Sequence, residues 1–257
     1  MKTRILASVV LLPLLLLIVL AAPKFLTGVL FGLMAAIAAY ELLSGTGLLK
    51  HKRLQIYAMV CAFFCVLWCG LGISYAWLLL VVIAFWMALM AEVMLSGMQL
   101  PFDKIALCVV AGVLLPLLLG SLVRIHGWAL GRFYILVPFG MKFGKHRLAP
   151  VISPKKSVEG VFGGVAGAIL GMVIYCLVLQ LCFKLQVNYL AAVLYGAVGA
   201  GGAVFGDLCF SVVKRQTGIK DYGNLIPGHG GILDRFDSMM IVGPLAELLL
   251  LLLPIAV

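Results

Sequence analysis

The sequence predicts an all-α, polytopic integral membrane bundle, and three observations carry that prediction. Hydrophobic residues make up 65% of the 257 residues and charged residues 11%, against roughly 45–50% and about 25% in a soluble domain. One soluble core of this length cannot enclose so much apolar surface. The apolar residues also fall into long uncharged runs, the signature of membrane-spanning helices. A soluble enzyme, a nucleic-acid-binding domain and a disordered chain are therefore excluded, and no nucleic-acid partner is expected. The third observation is the basic excess, 19 Lys+Arg against 9 Asp+Glu, a formal charge of +10. In a membrane protein it points to cytoplasmic loops, anionic head groups or a phosphorylated substrate.

The runs come in order along the chain. Ile5–Ala21 is preceded by Lys2 and Arg4, like a signal peptide. Pro23 after Ala21-Ala22 is a poor cleavage context, so it reads as an uncleaved first span. Phe25–Leu43 carries Glu41 near its end. Leu54–Gly72 holds Cys61, Cys65 and Cys69 on one helix face. Tyr75–Ala91 and Ile105–Val123 complete the N-terminal set. Val161–Phe183, Val187–Phe205 and Met239–Val257 come next, the last with Glu247 inside it. Each approaches or exceeds the ~17 residues that a helix needs to cross the hydrocarbon. That gives eight full spans.

A ninth run, Phe133–Phe139, would rise only ~10 Å as a helix. The charges nevertheless ask for a crossing there. With the N-terminus inside and nine crossings, only Lys24, Arg124, Arg132 and Lys184 lie outside, as the positive-inside rule requires. The sharper reading is a sixth span short by about a dozen residues; a re-entrant turn is the plainer one. The chain divides into N-terminal and central spans, 1–139, and a C-terminal catalytic region, 140–257, with cytoplasmic loops 140–160 and 206–238.

The remaining features have plain readings. All seven cysteines read as small packing residues, since no CxxC pair or zinc-like spacing occurs. Gly163, Gly167 and Gly171, like Gly202 and Gly206, form small faces for close helix contact. Asp207 comes directly after one such face. His51 and His126 read as interfacial loop residues, and Glu247 as an intramembrane hydrogen-bonding or functional acid.

Chemistry concentrates between 207 and 237, where four of the nine acids lie. Asp207, Asp221, Asp234 and Asp237 are hard oxygen ligands. Lys214, Arg215, Lys220 and Arg235 suit phosphates. Gly228, Gly230 and Gly231 beside His229 let backbone N–H groups approach an anion. Carboxylates without Cys suit Mg²⁺, which takes one or two protein acids plus phosphates and water. Asp207 and Ser211 share a helix face at i, i+4, and Asp234 and Asp237 share one at i, i+3 if a helix starts there. A cavity between two such helix ends would hold one or two metal ions.

The run from Ser211 through Lys214-Arg215, Lys220-Asp221, His229-Gly230-Gly231 and Asp234-Arg235 to Asp237 resembles the signature of the phosphatidate cytidylyltransferases, the CDP-diacylglycerol synthases. A second match lies upstream, Phe143-Gly144-Lys145-His146-Arg147-Leu148-Ala149-Pro150 and Ile152 to Gly160. The resemblance implies CTP and phosphatidic acid as substrates and CDP-diacylglycerol and pyrophosphate as products. It implies Asp207 and Asp234 at a Mg²⁺ centre of one or two ions, with a monovalent cation as a further occupant. Asp221, Asp237 and Lys220 stand as supporting catalytic residues. Ser211, Lys214, Arg215, His229, Gly230, Gly231, Arg235, Ser153, Lys155 and Lys156 stand as substrate contacts, and Glu159 would orient a lysine. A homodimer in the inner (plasma) membrane, with active-site loops in the cytoplasm, is implied by the same resemblance. The stretch 132–142 lacks the acid of the Asp-Ser/Thr-x-Ala-Tyr-type motif that the family carries there. The alternatives are thus an impaired or silent member short of part of its sixth span, or a related membrane polyprenol kinase.

Overall fold

A computed structural model of the chain describes residues 20–128, 158–225 and 230–255, with the backbone alone for 158–160. Among the described residues the chain is overwhelmingly helical and forms no β-strand. Among these residues six helices are long and apolar enough to cross a membrane: Lys24–Gly45, Lys52–Leu71, Tyr75–Leu95, Phe102–His126, Val161–Phe183 and Tyr189–Gln216. The Phe133–Phe139 run and most of Ile5–Ala21 lie outside the described residues. The helices fall into two compact units.

The first unit comprises Met1–Gly127 together with Gln216–Phe236. Helix α1 (Lys24–Tyr40) begins after extended Pro23 and runs on through a π-helical turn, Glu41–Gly45. Helix α2 (Lys52–Leu71) packs along it. Their backbones meet at two glycines: a Cβ on Gly28 would lie 2.9 Å from Gly70 Cα. A side chain at either position would force the helices apart. Helix α2 stops at Gly72, whose φ of 65° is the left-handed conformation that glycine adopts without steric cost.

Ser74 opens α3 (Tyr75–Leu95), its hydroxyl accepting the Ala76 N–H at 3.3 Å. Leu78, Phe85, Leu89 and Glu92 form the buried stripe of α3, while Tyr75, Trp77, Leu80, Ile83, Trp86 and Met87 are exposed. An apolar face of that extent is suited to lipid, not water. The last long element bends through a second π turn: α4 (Phe102–Val109), Val110–Leu114, then α5 (Leu115–His126). A π turn adds a residue to the helical cycle and so rotates the helix beyond it. Gly112 within it sits against Phe85 and Ala58. Pro116 follows directly in α5 and has no N–H to bond back into the π turn, so the hydrogen-bond ladder loses one rung where the helix changes pitch.

The second unit comprises Trp128–Arg215 and Asp237–Val257. It contains α6 (Val158–Phe183), α7 (Tyr189–Gln216) and α9 (Met239–Leu252). A short helix, α8 (Leu233–Phe236), precedes α9 in the chain and belongs to the first unit. Asn188 caps α7 by accepting the Ala191 N–H at 3.1 Å. Tyr195, fully buried, donates to the Leu253 carbonyl at 3.1 Å.

The small-residue faces divide. Gly202 and Gly206 are buried against α9, with a Cβ on Gly206 falling 3.0 Å from Ser238 Cα. Gly163 and Gly171 instead face open space. The close approach of α6 to α7 is made by Gly196, where a Cβ would lie 2.5 Å from Ile169 Cα. Small residues permit contact but do not compel it.

Three other expectations need correction. The final run, Met239–Val257, is helical only over Met239–Leu252. Leu253 precedes Pro254, whose ring disfavours a helical residue before it, and Leu253 adopts φ −144° and ψ 80°. Fourteen residues rise only ~21 Å. His126 lies buried in the last turn of α5, not in a loop. Of the cysteines, five are buried as expected, whereas Cys182 is exposed and Cys209 half-buried.

The glycine contacts make a direct expectation. Gly196→Val should cost about 1–3 kcal/mol through overpacking and lower the thermal midpoint in detergent. Gly163→Ala, inside α6 and facing open space, should not lower it and should raise it slightly, since alanine favours helix over glycine. Equal midpoints for the two variants would contradict the α6–α7 contact.

Candidate active site

The signature segment begins at Ser211, in the last turns of α7. Gly218, at φ 71°, turns the chain out of the helix. Residues 219–225 then run without regular structure, and the chain returns through Gly230 and Gly231 into α8. The first N–H groups of a helix have no carbonyl partner. Here the N–H groups of three successive residues leading into α8, Gly231, Ile232 and Leu233, are taken by carboxylates.

Asp234 reaches back from α8: its Oδ2 accepts the Gly231 N–H at 3.0 Å and the Tyr222 N–H at 2.8 Å. One oxygen thus ties the turn to a residue twelve positions earlier. The next two N–H groups point at Glu41. Ile232 donates to Oε1 at 3.0 Å and Leu233 to Oε2 at 2.7 Å. Asp234 and Glu41 are both buried. Bonds from N–H groups to a carboxylate are charge-assisted and about twice as strong as neutral ones.

Glycines make room for these acids. A Cβ on Gly223 would lie 2.6 Å from Glu41 Oε1, and one on Gly231 would overlap the Glu41 carboxylate. A Cβ on Gly230 would lie 2.9 Å from Asp234 Oδ2, and its φ of 83° already favours glycine. Gly45, at the end of the π turn, allows the Tyr222 carbonyl to approach where any side chain would collide with it. Tyr222 is buried, and Phe236 meets Phe31 of α1 edge-on at 6.3 Å. The turn is therefore anchored on α1 by apolar as well as polar contact. Lys220, Asp221 and Arg235 flank it and are exposed.

In the second unit, α7 places Asp207, Ser211 and Lys214 at i, i+4 and i+7, one helix face, all half-buried. Lys214 and Arg215 occupy the last turn, where the helix dipole favours cations. Asp207 comes after Gly206 at the close contact with the start of α9. Asp237 is buried, and its Oδ1 accepts the N–H of Ser238 at 2.6 Å. Asp234 lies inside α8 and Asp237 just beyond its end.

Ser153, Lys155, Lys156, Gly228 and His229 lie outside the described residues, and Glu159 is described only as backbone in the first turn of α6. Among the described residues no three His, Cys, Asp or Glu side chains converge as a ready-made metal cage. Sequence reasoning gave no role to Glu41. Its one signal was an acid at the end of an apolar run, which is costly to keep there without a partner.

Similar proteins bear on what this arrangement does. Over 113 residues the chain is 48% identical to a Staphylococcus epidermidis protein named phosphatidate cytidylyltransferase, covering 44% of this chain and 42% of that one. A Thermotoga maritima protein of the same name is 40% identical over 108 residues, covering 42% of this chain and 40% of its own. Phosphatidate cytidylyltransferase 5, chloroplastic, of Arabidopsis thaliana is 39% identical over 132 residues, 46% of this chain and 32% of that protein. The chain thus spans less than half the length of the curated relatives it matches. The profile of the Cytidylyltransferase family matches residues 2–253, nearly the whole chain. The chain belongs to the cytidylyltransferase family.

Proposed function

We propose that this multi-pass membrane protein transfers CMP from CTP to phosphatidic acid, giving CDP-diacylglycerol and pyrophosphate. The observation that carries the reading is the Asp234 turn. A buried carboxylate is fixed by two backbone N–H groups and flanked by exposed Lys220, Asp221 and Arg235. That is a site for placing polyanions, and the names of the relatives give the anions.

The chemistry asks little else of the protein. The lipid phosphate is already ionised at neutral pH, so no strong base is needed. Its oxygen forms a bond to the α-phosphorus of CTP as the bond to the β-phosphate oxygen breaks, and pyrophosphate leaves with that electron pair. Charge neutralisation and alignment supply the rate. Lys214, Arg215, Lys220 and Arg235 would pair with phosphate oxygens, with His229, Ser153, Lys155 and Lys156 as further contacts.

The acids fit a hard cation. Carboxylates are hard oxygen ligands, and Mg²⁺ characteristically takes only one or two protein oxygens beside phosphates and water. By resemblance to the family, Asp207 and Asp234 are the candidate ligands, with Asp221 and Asp237 as supporting residues. When bound, Mg²⁺ would neutralise the charge developing on the phosphates. Membrane lipid would be both solvent and substrate source. We place the active-site loops on the cytoplasmic face of the inner membrane and the working form as a homodimer.

Purified protein in detergent, given Mg²⁺, phosphatidic acid and CTP labelled at the α-phosphorus, should label the lipid. CTP labelled at the γ-phosphorus should not. Label from the γ-position would indicate a kinase and overturn the proposal, as would no transfer from either label by folded protein. Asp234→Asn and Asp207→Asn should each lower turnover by on the order of 10²–10³, the loss expected when a stabiliser of transition-state charge is removed.

A further inference from the structure

We propose that Glu41 is a positioning residue: it clamps the glycine-rich turn to α1 and so sets where the Asp234 carboxylate stands. Three independent features converge on it. First, its two oxygens each accept one N–H of consecutive residues, Ile232 and Leu233, 191 and 192 positions away in the chain. A bidentate grip on two successive amides fixes both the position and the orientation of the turn. Asp234 is the next residue.

Second, the surroundings are cut to fit. Gly223 and Gly231 each lack a side chain where one would collide with the Glu41 carboxylate. Both glycines belong to the signature segment, but Glu41 does not. The motif therefore contains space for an acid that comes from elsewhere.

Third, Glu41 opens a π-helical turn, where α1 departs from regular helix. Such turns re-aim side chains and are frequent at functional sites. Ser44 and Gly45 close the turn, and Gly45 meets the Tyr222 carbonyl. Tyr222 in turn donates to Asp234. Glu41 and Gly45 thus hold both sides of the Asp234 hydrogen-bond pair. Asp234 bonds the turn within itself, whereas Glu41 bonds it to the membrane helix.

The catalytic consequence rests on the proposed transfer reaction, but the clamp itself does not. The test accordingly has two readouts on full-length protein in detergent. Glu41→Gln keeps the shape but offers one acceptor oxygen, so one of the two amides faces an NH₂ group. Amide hydrogen exchange over 230–236 should rise in Glu41→Gln relative to wild type, whether or not the protein turns over. Unchanged exchange there overturns the clamp. In the transfer assay, Glu41→Gln should lower kcat by about 10–100-fold, as for loss of a supporting partner, with KM for CTP little changed. Faster exchange with unchanged kcat overturns the positioning role.

Two further variants separate positioning from mere stability. Glu41→Asp retains both acceptors on a shorter stem and should recover part of the Glu41→Gln loss. Gly231→Ala should be severe in wild type and far milder in a Glu41→Ala background, because the clash is with the carboxylate. Equal penalties in the two backgrounds would overturn the contact. A wild-type protein that transfers no CMP, yet shows the exchange difference, would sink the proposed reaction and leave the clamp standing.

Discussion

Everything around the candidate site depends on one exchange of hydrogen bonds. Four backbone N–H groups, of Tyr222, Gly231, Ile232 and Leu233, find no carbonyl partner in helix or sheet and donate instead to Asp234 and Glu41. Each side needs the other. A buried N–H without an acceptor costs free energy, and a buried carboxylate without donors costs more. Removing either acid leaves unpaired amides. Removing the turn leaves an ionisable group at the end of a membrane helix. A mutual requirement of this kind holds a loop in one conformation more firmly than apolar contact alone, because partial solutions are penalised.

The constraint propagates outward through close packing. Glu41 can hold the turn still only if α1 is still, and α1 is locked to α2 where Gly28 meets Gly70. Gly32 seated against Phe63 extends that seam. Phe31 lies on the same helix and meets Phe236 at the end of the turn. A helix that is half membrane span and half scaffold explains why α1 is buried along much of its length while α3 leaves most of its apolar surface exposed. The lipid-facing surface of α3 tolerates any apolar residue. The α1–α2 seam tolerates very few.

How much of this was legible in the sequence depends on which forces are local. Helical spans were, because a bilayer demands about 20 apolar residues in a row and the demand is written in consecutive positions. Their ends were less so. The last run looked long enough to cross, but Pro254 stops the helix at Leu252, and hydropathy counts a proline-broken segment as it would an unbroken one. The glycine faces show the same limit. Gly202 and Gly206 pack against α9, whereas Gly163 and Gly171, with the same spacing, face open space. Gly196, which brings α7 against α6, has no glycine four residues to either side, only Ala192 and Ala200. Spacing records what a helix face permits, and only the partner decides whether it is used.

The site was legible as a motif and not as a mechanism of support. Asp234 and its neighbours announce themselves by the density of acids and bases between 207 and 237. Glu41 could not, since its partners lie 191 and 192 residues away and no periodicity spans that distance. This alters how the glycines of the motif should be understood. Glycine beside His229 suggests backbone amides bared for a phosphate. In the structure, the amides of 231, 232 and 233 already serve the protein's own carboxylates, and Gly223 and Gly231 are small because Glu41 needs the space. In the proposed reaction, phosphate recognition by this turn would then fall to the exposed groups, Lys220 and Arg235. Flexible cations of that kind can track a phosphate as bonds to it form and break, while the buried acid behind them is held fixed. The proposed transfer between two polyanions would need both behaviours, and the turn separates them, with the acid buried and the cations exposed.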